Sequence, residues 1–118
     1  MKILMASSES IPYAKSGGLA DVVSALSQAL AERGHDVRVI LPCYKGISFR
    51  QPETLIQSAP VTWGMNGNTS VDIITDKLKD IRCYFISHPL FSQRSGIYGE
   101  TSHAPYADNN LRFSLFSH

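Results

Sequence analysis

The residues best suited to chemistry stand near the start of the chain, in Lys15-Ser16-Gly17-Gly18. A single cation precedes two glycines, and an apolar-periodic stretch begins at Leu19. Glycine has no Cβ, so its backbone N–H groups can approach a ligand closely. A helix starting there would add N–H donors and a partial positive charge, and Lys15 would add a full one. That combination suits a diphosphate. The order of residues is not that of the common phosphate loops. A Walker A loop places its lysine after the glycines, and Gly17-Gly18 does not supply the Gly-x-Gly-x-x-Gly of a dinucleotide fingerprint. On the residues alone the segment also reads as a surface lysine beside a flexible turn, which is the commoner case.

Four further side chains are candidates with two readings each. Asp21 falls in the first turn after the glycines, either as a carboxylate favoured by the helix dipole or as a polar contact to a nucleotide or sugar. Glu9 could bond sugar hydroxyls or sit solvated in the loop. Tyr98, in Gly96-Ile97-Tyr98-Gly99, could stack on a sugar face or pin its own loop by packing. His88, before Pro89, has no acid–base partner in sequence, and a structural role is the expectation. His35, His103 and His118 lack metal-ligand spacing, and no Gly-x-Ser-x-Gly elbow is present.

The elements that must position these residues are legible from periodicity. Residues 2–6, Lys-Ile-Leu-Met-Ala, read as a buried first strand, and residues 7–18 as a loop rich in Ser, Gly and Pro. Leu19, Val22, Val23, Leu26 and Leu30 share one helical face, which predicts an amphipathic helix with Gln28, Glu32 and Arg33 outward, and the small Ala20, Ala25 and Ala29 would allow close packing on a sheet. Gly34 suits a left-handed C-terminal cap. Residues 36–42 read as a second buried strand, stopped by Pro42. Strand, helix and strand make a βαβ unit with parallel strands. The expected fold is therefore an α/β sheet built on that unit. In such sheets ligands bind beyond the C-terminal ends of the strands, where residues 7–18 must lie.

Further along, a strand is expected within 54–63 and a turn at Met65-Asn-Gly-Asn68. Residues 71–75 and 81–86 flank Lys77-Leu-Lys-Asp80 and read as an antiparallel hairpin whose second strand joins the main sheet. Residues 92–105 read as a long loop, and a helix begins near Asp108. That helix reaches the last residue with no capping Gly or Pro, which predicts a truncated chain.

Bulk properties exclude several function classes. The chain has 118 residues, 43% hydrophobic and 18% charged, enough for one domain at most. A net charge of +1 with scattered basic residues gives no nucleic-acid or anionic-membrane footprint. Cys43 and Cys83 are too few for a disulfide framework and form no C-x-x-C, so reduced thiols in a cytoplasmic protein are expected. The N-terminal apolar run is too short for a signal peptide, and no window could span a bilayer.

The motifs together resemble a family. Lys2 to Leu26, with Lys15-Ser16-Gly17-Gly18-Leu19-Ala20-Asp21-Val22 at its centre, is similar to the N-terminus of bacterial glycogen synthases and plant starch synthases. So are Arg33–Tyr44, His88-Pro-Leu-Phe91 with Gly96–Gly99, and Tyr106–Phe113, in the same order. The resemblance implies a retaining glucosyltransferase of GT-B architecture, with two Rossmann-like domains, and for this chain a Rossmann-like, doubly wound, mainly parallel α/β sheet with a β-hairpin. It would carry glucose from ADP-glucose to the non-reducing end of an α-1,4-glucan, with no metal or other cofactor. Residues 1–118 would be an incomplete N-terminal domain. Lys15, Gly17, Gly18 and Asp21 match the donor-contacting signature. Tyr98 matches an aromatic of the active-site loop, and Ser16 stands where many members carry Thr. A histidine expected further along that domain, and the whole C-terminal donor-binding domain with its Arg/Lys clamp and Glu, are not in this sequence. The isolated chain is thus expected to be inactive. The competing expectation is a stand-alone module that binds glucan or nucleotide sugar without transfer.

Overall fold

A computed structural model of the chain describes residues 1–62, 67–94, 96–101 and 104–117. Its centre is the βαβ unit of β1 (Lys2–Ala6), α1 (Gly18–Glu32) and β2 (Asp36–Pro42). β1 and β2 pair in parallel with Ile3 opposite Val37 and Met5 opposite Val39. β3 (Glu53–Thr62), β4 (Asn68–Leu78) and β5 (Ile81–Ser87) complete a five-stranded sheet of order β1-β2-β5-β4-β3. β5 lies parallel to β2, and β4 and β3 add antiparallel strands outward from it. The sheet is therefore parallel on one side and antiparallel on the other. The hairpin expected around 77–80 is the β4–β5 hairpin, with Lys77 and Leu78 still in β4 and Lys79 at φ 54 in the turn. The expected turn at Met65–Asn68 falls partly outside the described residues.

α1 ends as its sequence suggests. Gly34 has φ 90 and donates to the Ala31 carbonyl, and His35 N–H donates to Leu30. This pair of bonds takes up the last carbonyls of the helix. Its buried face differs from expectation in part. Ala20, Val23 and Ser27 are buried, while Leu19, Val22 and Leu26 are 48%, 60% and 46% exposed. The helix sits close on the sheet through small residues, with the Ser27 hydroxyl 3.1 Å from Met5 sulfur. That close approach rotates the bulky stripe to the flank. Within residues 1–118, β1, expected to be buried, is half-exposed with Leu4 open to solvent, since among the described strands only β2 pairs with it.

One core cluster fills the space between sheet, helix and loops. Phe85 is its centre, with the Tyr13 ring edge-on at 4.8 Å and the Phe49 ring at 4.9 Å. Asp76 is buried beside it and accepts from Tyr13 OH (2.9 Å), Arg50 N (3.0 Å) and Gln51 N (2.8 Å). This carboxylate ties two loops to β4. A second cluster, of Tyr44, Phe91, Ile97 and Leu115, joins α2 (Pro89–Ser92) and α3 (Asn109–Ser117) to the sheet end. The segment read as a long loop holds a small two-stranded ribbon, β6 (Gly99–Thr101) with β7 (Ala104–Pro105).

Candidate functional site

The segments leaving the C-terminal ends of β1, β2 and β5 converge on one cleft of about 680 Å³. Tyr13 to Ser16 form one wall, Tyr44 to Ile47 a second, and Gly96 to Glu100 a third. Lys15 and Tyr98, eighty-three positions apart in sequence numbering, thus face one space. Lys45 and Glu100 also line it. Neither was singled out from sequence, since neither belongs to a recognisable spacing pattern. Their membership follows only from β1, β2 and β5 being neighbours in the sheet.

Lys15 Nζ is held by Asp21, at 2.9 Å from Oδ1 and 2.8 Å from Oδ2. Both side chains are about half exposed, so the pair is solvent-screened and exchangeable. Asp21 sits in the first turn of α1, where its charge also favours the helix N-terminus. The structure therefore brings these two signature residues together.

Gly17 is the N-cap of α1, with φ −161 and no side-chain cap. Neither Gly17 nor Gly18 is required by neighbours: a Cβ at either would meet nothing within 4 Å. Gly96 and Gly99 are different. A Cβ on Gly96 would lie 1.8 Å from the Gly99 carbonyl oxygen, and one on Gly99 2.0 Å from that of Ala104. Those glycines exist for backbone packing of the third wall.

Glu9 is directed inward, not into the cleft, and is 1% exposed. Its Oε2 accepts from Ser16 N (3.2 Å) and Ser16 Oγ (2.5 Å), and its Oε1 from Ala20 N (3.0 Å). One of the helix-terminal donors expected for a ligand is thereby already used.

Tyr98 both lines the cleft and pins its loop. Its ring packs on Phe113 at 5.6 Å, its hydroxyl is 2.5 Å from Ser8 Oγ, and its side remains 38% exposed. Beneath it lies Arg112, fully buried. Arg112 donates to the carbonyls of Leu90 (2.8 Å) and Ile97 (2.8 Å) and to Asn109 Oδ1 (2.9 Å), with the Tyr106 ring 4.7 Å away. Burial pulls its guanidinium below the usual arginine range. Sequence reasoning gave Arg112 no role. An arginine on a short helix carries no sign that its fork will meet carbonyls 15 and 22 residues upstream.

His88 lies away from the cleft lining, as N-cap of α2. Its Nδ1 accepts from Leu90 N at 3.2 Å, so the neutral ring carries its proton on Nε2, 3.0 Å from Thr69 Oγ1. Burial holds its pKa below the ordinary histidine value. The structural reading of this histidine stands. Of the other histidines, His103 and His118 lie outside the described residues.

The comparisons with known proteins agree with one another. Residues 2–118 match the model of the starch synthase catalytic domain. The glycogen synthase of Treponema denticola is 41% identical over 120 residues, covering 100% of this chain and 24% of its own length. That of Koribacter versatilis is 37% identical over 117 residues, with 99% and 24% covered. The catalytic domain of starch synthase IV from Arabidopsis thaliana, solved bound to ADP and acarbose, superposes with a TM-score of 0.80 at 31% identity. That likeness covers 98% of this chain and 23% of the other. The chain thus spans about a quarter of the length of the proteins it matches.

Proposed function

This chain belongs to the starch synthase catalytic domain family, and from that membership and the cleft we propose that it forms the first part of an ADP-glucose-dependent glycogen synthase. The reaction is transfer of glucose, with retention, to the non-reducing end of an α-1,4-glucan. Residues 1–118 are then part of the N-terminal Rossmann-like domain, and a second domain supplies the opposite wall of the cleft. Leaving-group charge would be stabilised mostly from that second wall, so residues 1–118 alone do not turn over. The two buried, unbridged cysteines and the small-molecule donor suit a cytoplasmic enzyme.

The observation that carries this reading is Lys15 on the cleft wall beside two glycines that no neighbour requires. Gly17 and Gly18 follow the lining residue Ser16, and the space at their Cβ positions is open. Lys15 exchanges its half-exposed Asp21 partner for a diphosphate oxygen, and Asp21 orients the ammonium until it does. Tyr98 offers its exposed ring to a sugar face. In the full-length enzyme, Lys15→Ala loses most of its activity through weakened diphosphate binding. Near-normal kcat/KM for ADP-glucose in that variant would remove the phosphate role.

A further inference from the structure

Resting on the donor-phosphate reading of Lys15, we propose that Glu9 is a positioning residue: it holds the Lys15 segment and the start of α1 in one fixed relation across the Gly17–Gly18 pair. A helix N-cap usually offers a side-chain oxygen to the N–H groups of the first turn. Gly17 cannot. The acceptor comes instead from eight residues earlier, where Glu9 Oε1 takes the Ala20 N–H at 3.0 Å. The other oxygen of the same carboxylate takes both Ser16 N and Ser16 Oγ. One buried side chain therefore grips the chain immediately before the glycines and two residues after them.

The glycines themselves are restrained by nothing at the Cβ position. Apart from the half-exposed Lys15–Asp21 pair, the Glu9 bridge is what ties the peptide that carries Lys15 to the helix terminus across Gly17 and Gly18. Among the described residues Glu9 enters none of the ion pairs. Its charge is balanced by the N–H groups, the Ser16 hydroxyl and the positive end of α1. The arrangement keeps a ligand's anion from the Ala20 N–H and leaves Lys15 and the glycine segment to meet it.

The test uses the full-length enzyme with Glu9→Gln, Glu9→Ala, Lys15→Ala and the Glu9→Ala/Lys15→Ala pair. ADP affinity is read by calorimetry, KM for glucan by initial rates, and melting temperature alongside. Glutamine keeps an acceptor for Ala20 and turns a donor toward Ser16 Oγ, so it loses only the Ser16 N–H bond. Glu9→Ala should weaken ADP binding by about tenfold and Glu9→Gln by less, as for loss of hydrogen bonds to a charged group. KM for glucan should stay within about twofold in both. In the Lys15→Ala background Glu9→Ala should add less than about twofold, because coupled residues are not additive. Wild-type ADP affinity in both Glu9 variants, or full additivity with Lys15→Ala, would overturn the proposal. So would a fall in melting temperature with no change in affinity. If Glu9→Ala does not fold, Glu9→Gln and its pair with Lys15→Ala carry the same comparison. Wild-type ADP affinity in Lys15→Ala alone would instead remove the donor-phosphate reading beneath it.

Discussion

Replacing Gly18 by alanine should separate folding from ligand binding. Gly18 is the first residue of α1, and its added Cβ would meet no atom within 4 Å. Alanine is favoured over glycine in a helix interior by up to about 1 kcal/mol, and less at a terminus. Restricting the unfolded chain contributes in the same direction. A net stabilisation of about 0.5 kcal/mol is expected, which raises the melting temperature of a domain of this kind by about 1–2 °C. Binding should go the other way. A methyl group facing an approaching phosphate holds the backbone away and removes one charge-assisted hydrogen bond. Such bonds contribute about 1.5–3 kcal/mol, so ADP affinity should fall by about 10- to 150-fold. The assay pairs thermal melting with calorimetric titration of ADP into the full-length enzyme. A variant that is at least as stable as the parent yet binds ADP equally well would refute a ligand-driven reason for this glycine. A melting temperature several degrees lower would refute the premise that the space is open.

Two further outcomes follow from buried polar groups. Burial alone would raise the Asp76 pKa, but hydrogen bonds from Arg50 N, Gln51 N, Tyr13 OH and Lys77 N outweigh it and hold the carboxyl below its ordinary value of 3.8. Its contribution is therefore complete above about pH 4 and lost as pH falls through the folded value. Asp76→Asn should cost about 2 kcal/mol in urea denaturation at pH 7, with the gap to wild type narrowing in acid. Arg112→Met should strip bonds from the Leu90 and Ile97 carbonyls and cost about 3 kcal/mol, read by denaturation. It should also speed amide exchange across residues 96–98. Arg112→Lys should not restore it, because a point ammonium cannot span the same carbonyls.

The βαβ unit, the hairpin and the cap at Gly34 were legible because each has a local signal: a period, a turn, a glycine at positive φ. The helix face was legible only in part: Val23 and Ala20 are buried as read, while Leu19, Val22 and Leu26 are exposed within residues 1–118. Leu19, Val22 and Leu26 satisfy the apolar pattern better than Ala20 and Ser27 do, but approach to the sheet favours small side chains. Of the candidate residues, Lys15, read from the strand-to-helix loop, and Tyr98, read from the Gly96–Gly99 segment, line the cleft, and Asp21 pairs with Lys15. Lys45, Glu100 and Arg112 were not found, since their roles depend on which strand ends are adjacent, and strand order is invisible to spacing. Glu9 was noticed for its charge, while its inward direction follows from a helix that begins without a side-chain cap.

The stretch from Glu9 to Ser16 is closed twice over. Ser10 and Ala14 exchange backbone bonds of 3.0 Å in both directions, and Glu9 reaches round them to Ser16. Ordinary surface loops accept extra residues cheaply, because closure entropy grows slowly with length. Here an inserted residue would have to break one ring or the other. The segment works as a gauge whose residue count sets the spacing between the end of β1 and the first turn of α1, and variation within it should take the form of exchanged side chains at constant length.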